Sequence, residues 1–124
     1  MTPLVFTVDG PPQGKQRPRL GKGGNIYTPA ETRAYERRVK VLALQAVRSH
    51  ESWPMATSLL VRVTLRFFFE NSRRHDADNV AKAILDAGNE VVWKDDDQVA
   101  ELHVYKCLDA EKPRVEVSVE LGAF

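Results

Sequence analysis

Alternation of apolar and polar residues predicts several β-strands. The longest alternation runs over residues 59–70, where every second side chain is apolar: Leu59, Val61, Val63, Leu65, Phe67 and Phe69. This period of two predicts a long strand with one strongly apolar face. Shorter strands are predicted over residues 3–9, over residues 99–107 and over residues 114–121, the last with Val115, Val117, Val119 and Leu121 on one side.

Two segments show helical spacing instead. The first begins at Thr28-Pro29-Ala30-Glu31, where Thr28 is the predicted N-cap, Pro29 the first helical residue and Glu31 the partner in a capping box. This helix should run to about Ser49, with an apolar face of Tyr35, Val39, Leu42 and Ala46. A second helix is predicted over residues 79–88, with Val80, Ala83, Ile84 and Ala87 facing inward.

The order of these elements predicts the fold class. A Gly/Pro-rich, basic stretch over residues 10–25 separates the first strand from the first helix, as a long loop or a loose hairpin. The sequence strand, loop, helix, strand, helix, strand, strand predicts an α/β (α+β) fold with a mixed β-sheet of about four to five strands and two helices. At 124 residues, the chain is expected to form a single domain over residues 1–124.

Composition points to a cytoplasmic globular protein. Hydrophobic residues make up 43% of the chain and charged residues 28%. No apolar run approaches the roughly 18 residues needed to cross a bilayer, and the N-terminus lacks the pattern of a signal peptide. The single cysteine, Cys107, cannot form an internal disulfide. We therefore expect a protein of the reducing cytoplasm that does not bind membranes.

Charge is distributed unevenly along the chain. Residues 1–48 contain nine Lys/Arg and three Asp/Glu, whereas the remainder contains nine Lys/Arg and fourteen Asp/Glu. A basic segment joined to an acidic one suits a protein that holds a polyanion and gathers carboxylates around a cation. Chance segregation of surface charge is the alternative, and the charge pattern alone does not decide between them.

The densest group of polar residues lies where the longest strand gives way to the second helix. Asp76 and Asp78 would point to the same side and share one cation if the backbone stays extended there, but would diverge if it is helical. Lys82 follows Asp78 by four residues, which places both on one face of a helix. Asp86 continues that row.

A second acidic group, Asp95, Asp96 and Asp97, precedes a predicted strand. Carboxylates without nearby cysteines favour Mg²⁺ or Mn²⁺ over zinc. Such an ion can activate water for attack on a phosphodiester, and Lys82 would add positive charge at the phosphate. The residues therefore favour a metal site without by themselves identifying a nuclease.

Each of these residues also has a plainer explanation. Asp78 or Asn79 could simply cap the helix, and Lys82 and Asp86 could form exposed pairs on it. Asp95 and Asp97 could simply belong to a solvated turn. A lone histidine beside a carboxylate, such as His75, more often forms a hydrogen bond or contacts phosphate than binds metal.

Basic residues predict contacts with nucleic acid. The candidates are Lys15, Arg17, Arg19 and Lys22 in the first loop, and Arg73, Arg74 and His75 beside the acidic group. Glycines in the loop allow close approach of the backbone, and arginines suit the geometry of phosphate. The alternative is a loop that only increases solubility. Phe68 is the one remaining candidate for base stacking, because alternation assigns Phe67 and Phe69 to the core.

Taken together, these motifs resemble the RusA family of Holliday junction resolvases from bacteria and their prophages. The resemblance rests on Asp76-x-Asp78-Asn79-x-x-Lys82, Asp86, and Trp93-x-Asp95-Asp96-x-Gln98-Val99, preceded by Gly14-Lys15-x-Arg17-Pro18-Arg19 and Tyr27-Thr28-Pro29. His75 stands where many relatives carry another basic residue, and Asp97 is an additional aspartate.

The resemblance implies a catalytic site and a partner. Asp76, Asp78 and Asp96 would be the essential metal-binding and catalytic aspartates, Lys82 the catalytic basic residue, and Asp95 less central. Relatives act as homodimers on four-way junction DNA and make paired, symmetrical cuts with Mg²⁺ or Mn²⁺, in recombination and repair. The competing hypotheses are a non-catalytic protein that binds branched DNA and a metal-dependent nucleotide phosphohydrolase.

Overall fold

The computed structural model describes residues 2–15, 19–27 and 29–122, and within these residues strands and helices follow the predicted order. The elements are β1 (Leu4–Asp9), β2 (Arg19–Leu20), β3 (Ile26–Tyr27), α1 (Ala30–Ser49), β4 (Val61–Phe69), α2 (Ala77–Gly88), β5 (Val99–Leu108) and β6 (Arg114–Leu121). Short 3₁₀ turns precede β3, at Lys22–Gly24, and β5, at Asp96–Gln98. None of the described helices is long and apolar enough to span a bilayer.

A mixed four-stranded sheet forms the centre of the molecule, which confirms the predicted fold class. Its strand order is β1-β6-β4-β5. Strand β6 pairs antiparallel with both β1 and β4, whereas β4 and β5 are parallel. Parallel neighbours require a crossover connection, and α2 supplies it. The basic stretch before α1 contains a separate short hairpin formed by β2 and β3.

Both helices lie on the apolar face of this sheet. Strand β4 contributes the buried side chains Val61, Val63, Leu65, Phe67 and Phe69, as its alternation predicts. The four predicted inward residues of α2 are also buried: Val80, Ala83, Ile84 and Ala87. Leu59 was expected on the same face but is 57% exposed, because β4 begins only at Val61.

Helix α1 begins one residue later than predicted. Pro29 is its N-cap residue rather than its first helical residue, and the predicted cap Thr28 lies outside the described residues. The buried stripe contains Thr32, Tyr35, Val39, Ala43 and Val47. Leu42 and Ala46, which were expected on the apolar face, are only half-buried. The buried face of α1 is rotated relative to the predicted one because α1 packs against both β1 and α2.

Candidate active site

The first turn of α2 places two of the predicted aspartates. Asp76 is the N-cap residue, with an extended backbone (φ −77°, ψ 120°), and Asp78 lies in the first helical turn. The hypothesis that Asp78 or Asn79 caps the helix is therefore wrong. The Asp76 side chain makes no capping hydrogen bond to the helix backbone. Both aspartates are exposed.

An open concavity of about 420 Å³ brings these aspartates together with the predicted lysine. Its lining consists of Asp76, Ala77, Asp78, Asn79 and Lys82. Lys82 is one helical turn beyond Asp78. The backbone is extended at Asp76 and helical from Ala77, and Asp76 lines the same concavity from the N-cap position. The N-terminal end of α2 carries the positive end of the helix dipole, which favours negative charge at this position. The arrangement can accept a cation and a phosphate side by side.

The loop before β2 forms a wall beside this site. A second concavity, of about 340 Å³, is lined by Gly14, Arg74, His75, Asp76, Asn79 and Val80. Gly14 lies so close to α2 that a Cβ atom there would overlap the side-chain amide of Asn79. Gly14 and Asn79 are 65 residues apart, and no sequence signal predicts their contact.

His75 is held by its ring and by its backbone. The imidazole stacks on Phe69, with ring centroids 3.9 Å apart, and the carbonyl oxygen accepts a hydrogen bond from Lys106 Nζ at 2.7 Å. Nε2 is buried and has no hydrogen-bond partner among the described residues. Stacking at the end of β4 thus fixes the residue that precedes Asp76.

The other predicted DNA contacts are spread over two segments. Arg73 and Arg74 are exposed in the connector between β4 and α2, and Lys22 is exposed in the 3₁₀ turn before β3. Arg19 lies on β2, whereas Arg17 lies outside the described residues. Phe68, the candidate for base stacking, has the Arg114 guanidinium 3.8 Å from its ring centroid.

Lys15 has carboxylate partners within the protein. Its Nζ forms an ion pair with Asp86 on α2 and lies 3.4 Å from Glu36 Oε1 on α1. The hydrogen bond to Asp86 raises the pKa of Lys15, although burial opposes the change. Asp86, which spacing placed in a row with Asp78 and Lys82, therefore interacts with the loop.

Asp96 does not line the concavity that contains Asp76 and Asp78. It belongs to the 3₁₀ turn before β5, which Gln98 attaches to the residues preceding β4: Gln98 Nε2 donates to Thr57 O at 2.7 Å and to Leu59 O at 2.9 Å. Gln98 Oε1 also accepts a hydrogen bond from the Asp95 N–H at 2.9 Å. Sequence reasoning missed this structural role of Gln98, for which the Asp-x-x-Gln spacing was a signal.

Asp96 and the pair of Asp76 and Asp78 lie at opposite ends of β4. The turn of Asp96 adjoins the start of the strand, whereas Asp76 follows its end, and nine residues of strand span about 30 Å. A parallel crossover causes this separation, because α2 returns the chain to the end of the sheet at which β4 began. Within the described residues, no three His, Cys, Asp or Glu side chains are grouped so that they could hold a metal ion.

Comparison with known proteins assigns the chain to a family. The family model described as Endodeoxyribonuclease RusA matches residues 9–120, which include Asp76, Lys82 and Asp96. The chain is also similar to Uncharacterized protein YqaN of Bacillus subtilis (strain 168), with 29% identity over 135 aligned positions that cover 94% of each chain. The chain therefore belongs to the RusA family of endodeoxyribonucleases and is a nuclease.

Proposed function

We propose that this protein is an Mg²⁺-dependent, structure-selective endodeoxyribonuclease. Its substrate is the four-way (Holliday) junction, which it resolves by paired, symmetrical cuts during DNA recombination and repair. The observation that carries this proposal is the concavity at the start of α2, where Asp76, Asp78 and Lys82 meet. Membership of the RusA family supports the nuclease class.

The donor groups in the concavity fit a magnesium ion. Mg²⁺ is commonly held by one or two carboxylates together with waters and substrate phosphate oxygens, and Asp76 and Asp78 supply two exposed carboxylates. These two residues would hold the ion, and Mn²⁺ suits the same oxygen ligands. A bound divalent ion supplies Lewis-acid stabilisation of the charge on the phosphate.

Lys82 and the basic residues around the site would bind the substrate. Lys82 lies in the concavity, so its ammonium would face the scissile phosphate and stabilise the charge that develops there. Arg73, Arg74 and His75 flank the site from the connector between β4 and α2. Arg17, Arg19 and Lys22, in the loop before α1, are the other proposed contacts to the DNA backbone.

A homodimer would complete the catalytic residues. The family resemblance assigns Asp96 to the same site as Asp76 and Asp78, yet within one chain Asp96 lies at the other end of β4. If all three act together, Asp96 of the partner subunit must supply the third carboxylate. A two-fold dimer would then contain two equivalent sites, which matches two symmetrical cuts in a two-fold junction.

Cleavage of synthetic DNA tests this function. The purified protein is incubated with a labelled four-way junction or a linear duplex of the same sequence, each with Mg²⁺ or with EDTA. We expect nicks in the junction alone, and none in EDTA. Binding to the junction without cleavage in Mg²⁺ or Mn²⁺ would instead support a non-catalytic protein that binds branched DNA.

A further inference from the structure

Lys15 connects the loop before β2 to both helices. Its ammonium is ion-paired with Asp86 on α2 and lies 3.4 Å from Glu36 on α1. The three side chains are only 28%, 20% and 25% exposed for Lys15, Asp86 and Glu36. Solvent and salt weaken ion pairs between partly buried groups less than those between exposed groups. Lys15 is thus held by two carboxylates from different elements.

The backbone beside Lys15 contacts the first turn of α2. The Lys15 N–H donates to the Asn79 carbonyl oxygen at 3.4 Å, and Gly14 packs directly on the Asn79 side chain. Asn79 follows Asp78 and lines the same concavity. The loop is therefore attached to α2 at two points, Asn79 and Asp86, which are seven residues or about 10 Å apart along the helix.

The Lys15 ammonium is already engaged by two carboxylates, which disfavours its direct contact with DNA. These are the carboxylates of Glu36 and Asp86, which line a concavity together with Arg33, Arg37 and Lys40. A phosphate that approached Lys15 would therefore also approach two groups of its own sign. Glu36 Oε1 is buried and has no hydrogen-bond partner within the described residues, and the Lys15 ammonium 3.4 Å away compensates its charge.

We propose that Lys15 is a positioning residue that holds Gly14 against Asn79 and so keeps the first turn of α2 in its active arrangement. The inference rests on the nuclease function proposed above. Lys15 acts through Asp86 and Glu36 and does not touch the substrate. Its loss should therefore slow cleavage much more than it weakens binding of the junction.

Swapping the charges of Lys15 and Asp86 tests this role. The variants are Lys15→Glu, Asp86→Lys and the double variant, which keeps one ammonium and two carboxylates in the cluster. Lys15→Met removes the ammonium without adding a carboxylate, and it replaces Lys15→Glu in the test if Lys15→Glu does not fold. Arg48→Glu is the matched control, because it makes the same change of charge 12 residues, or about 18 Å, from Glu36 along α1.

Two measurements are made on each variant. Amide hydrogen exchange follows residues 10–15 and the first turn of α2, and single-turnover cleavage is compared with the Kd for the junction in EDTA. For Lys15→Glu and Lys15→Met we expect faster exchange and cleavage slowed about tenfold, or about 1.4 kcal/mol. The Kd should change no more than in Arg48→Glu. The double variant should recover slow exchange and most of the cleavage rate.

Two results would overturn the proposal. Unchanged exchange in Lys15→Glu and Lys15→Met would show that Lys15 does not hold the loop. A Kd that rises in Lys15→Glu well beyond its value in Arg48→Glu, and is not restored in the double variant, would show that Lys15 contacts DNA directly. Amide hydrogen exchange is measured without cleavage. A wild-type protein that leaves junctions intact would therefore refute the proposed nuclease function, and amide hydrogen exchange would still decide whether Lys15 holds the loop.

Discussion

At the scale of single residues, the site depends on which groups are exposed and which are already paired. Asp76 and Asp78 are exposed beside Lys82 in one concavity. Asp86, one turn beyond Lys82, is half-buried and paired with Lys15. Spacing along the chain put Asp78, Lys82 and Asp86 in one row. In the structure, Asp78 and Lys82 line the concavity with Asp76, whereas Asp86 anchors the loop.

Asp78→Asn should abolish cleavage and leave junction binding intact or tighter. The amide removes a negative charge, which weakens binding of the metal but also lessens repulsion of the phosphates. Cleavage and Kd are measured on the same labelled junction, with Asp97→Asn as a control for loss of one aspartate outside the concavity. Loss of binding together with cleavage would show that Asp78 has a structural role.

Gly14→Ala should destabilise the contact between the loop and α2. The new Cβ would overlap the Asn79 side chain, and overpacking of this kind costs roughly 1–3 kcal/mol where the neighbour cannot move away. Thermal unfolding measures the loss, with Gly23→Ala as an informative comparison because that residue has open space but a positive φ of 81°. An unchanged free energy of unfolding in Gly14→Ala would mean that Asn79 rotates away without cost.

At the scale of elements, sequence periodicity predicted the four strands of the central sheet and both helices, but the sites depend on how these elements are connected. Alternation in β4 was sufficient because a strand with one buried face has a strict period of two. The position of Asp96 was not predictable in the same way. It follows from the parallel pairing of β4 and β5, which separates Asp96 from Asp76. The pair of Lys15 and Asp86 joins residues 71 apart in the chain, and local patterns do not encode it.

The ion pair between Arg114 and Asp109, at the turn between β5 and β6, can be tested by titration. Arg114 Nη1 donates to Asp109 Oδ2 at 2.9 Å, and this hydrogen bond lowers the pKa of Asp109 below its ordinary value of 3.8. A lowered pKa in the folded state means that the stabilisation is present above the ordinary value and is lost as pH falls through the lower one. Arg114→Gln should therefore raise the pKa of Asp109, as measured by NMR titration of its carboxyl group. No change in that titration would mean that the pair does not persist in solution.

At the scale of the whole molecule, we propose that each site contains residues of two subunits. The described residues of one chain contain no group of three His, Cys, Asp or Glu side chains suited to a metal. Dimerisation itself is proposed from the family resemblance and from the separation of Asp96 from Asp76. Neither periodicity nor composition predicts such an assembly, because it depends on surfaces that one sequence does not identify.

Mixed dimers of Asp78→Asn and Asp96→Asn should recover cleavage that each variant alone lacks. If Asp96 acts across the dimer, both substitutions fall in one site of the mixed dimer, and the other site retains every aspartate. If Asp96 acts within its own chain, each subunit carries a defective site and the mixture stays inactive. Nicking by the mixed dimer, isolated with two different tags, distinguishes these arrangements.

Junction resolution is tested most directly with a supercoiled plasmid that extrudes a cruciform, because the base of a cruciform is a four-way junction. Paired cuts across the junction linearise the plasmid, whereas a single cut only relaxes it. We predict that the wild-type protein with Mg²⁺ yields linear plasmid cut at the base of the cruciform, and that Asp78→Asn or EDTA leaves the plasmid supercoiled. Equal cleavage of a plasmid without the cruciform, or no cleavage of either, would contradict assignment of the protein as a metal-dependent junction resolvase.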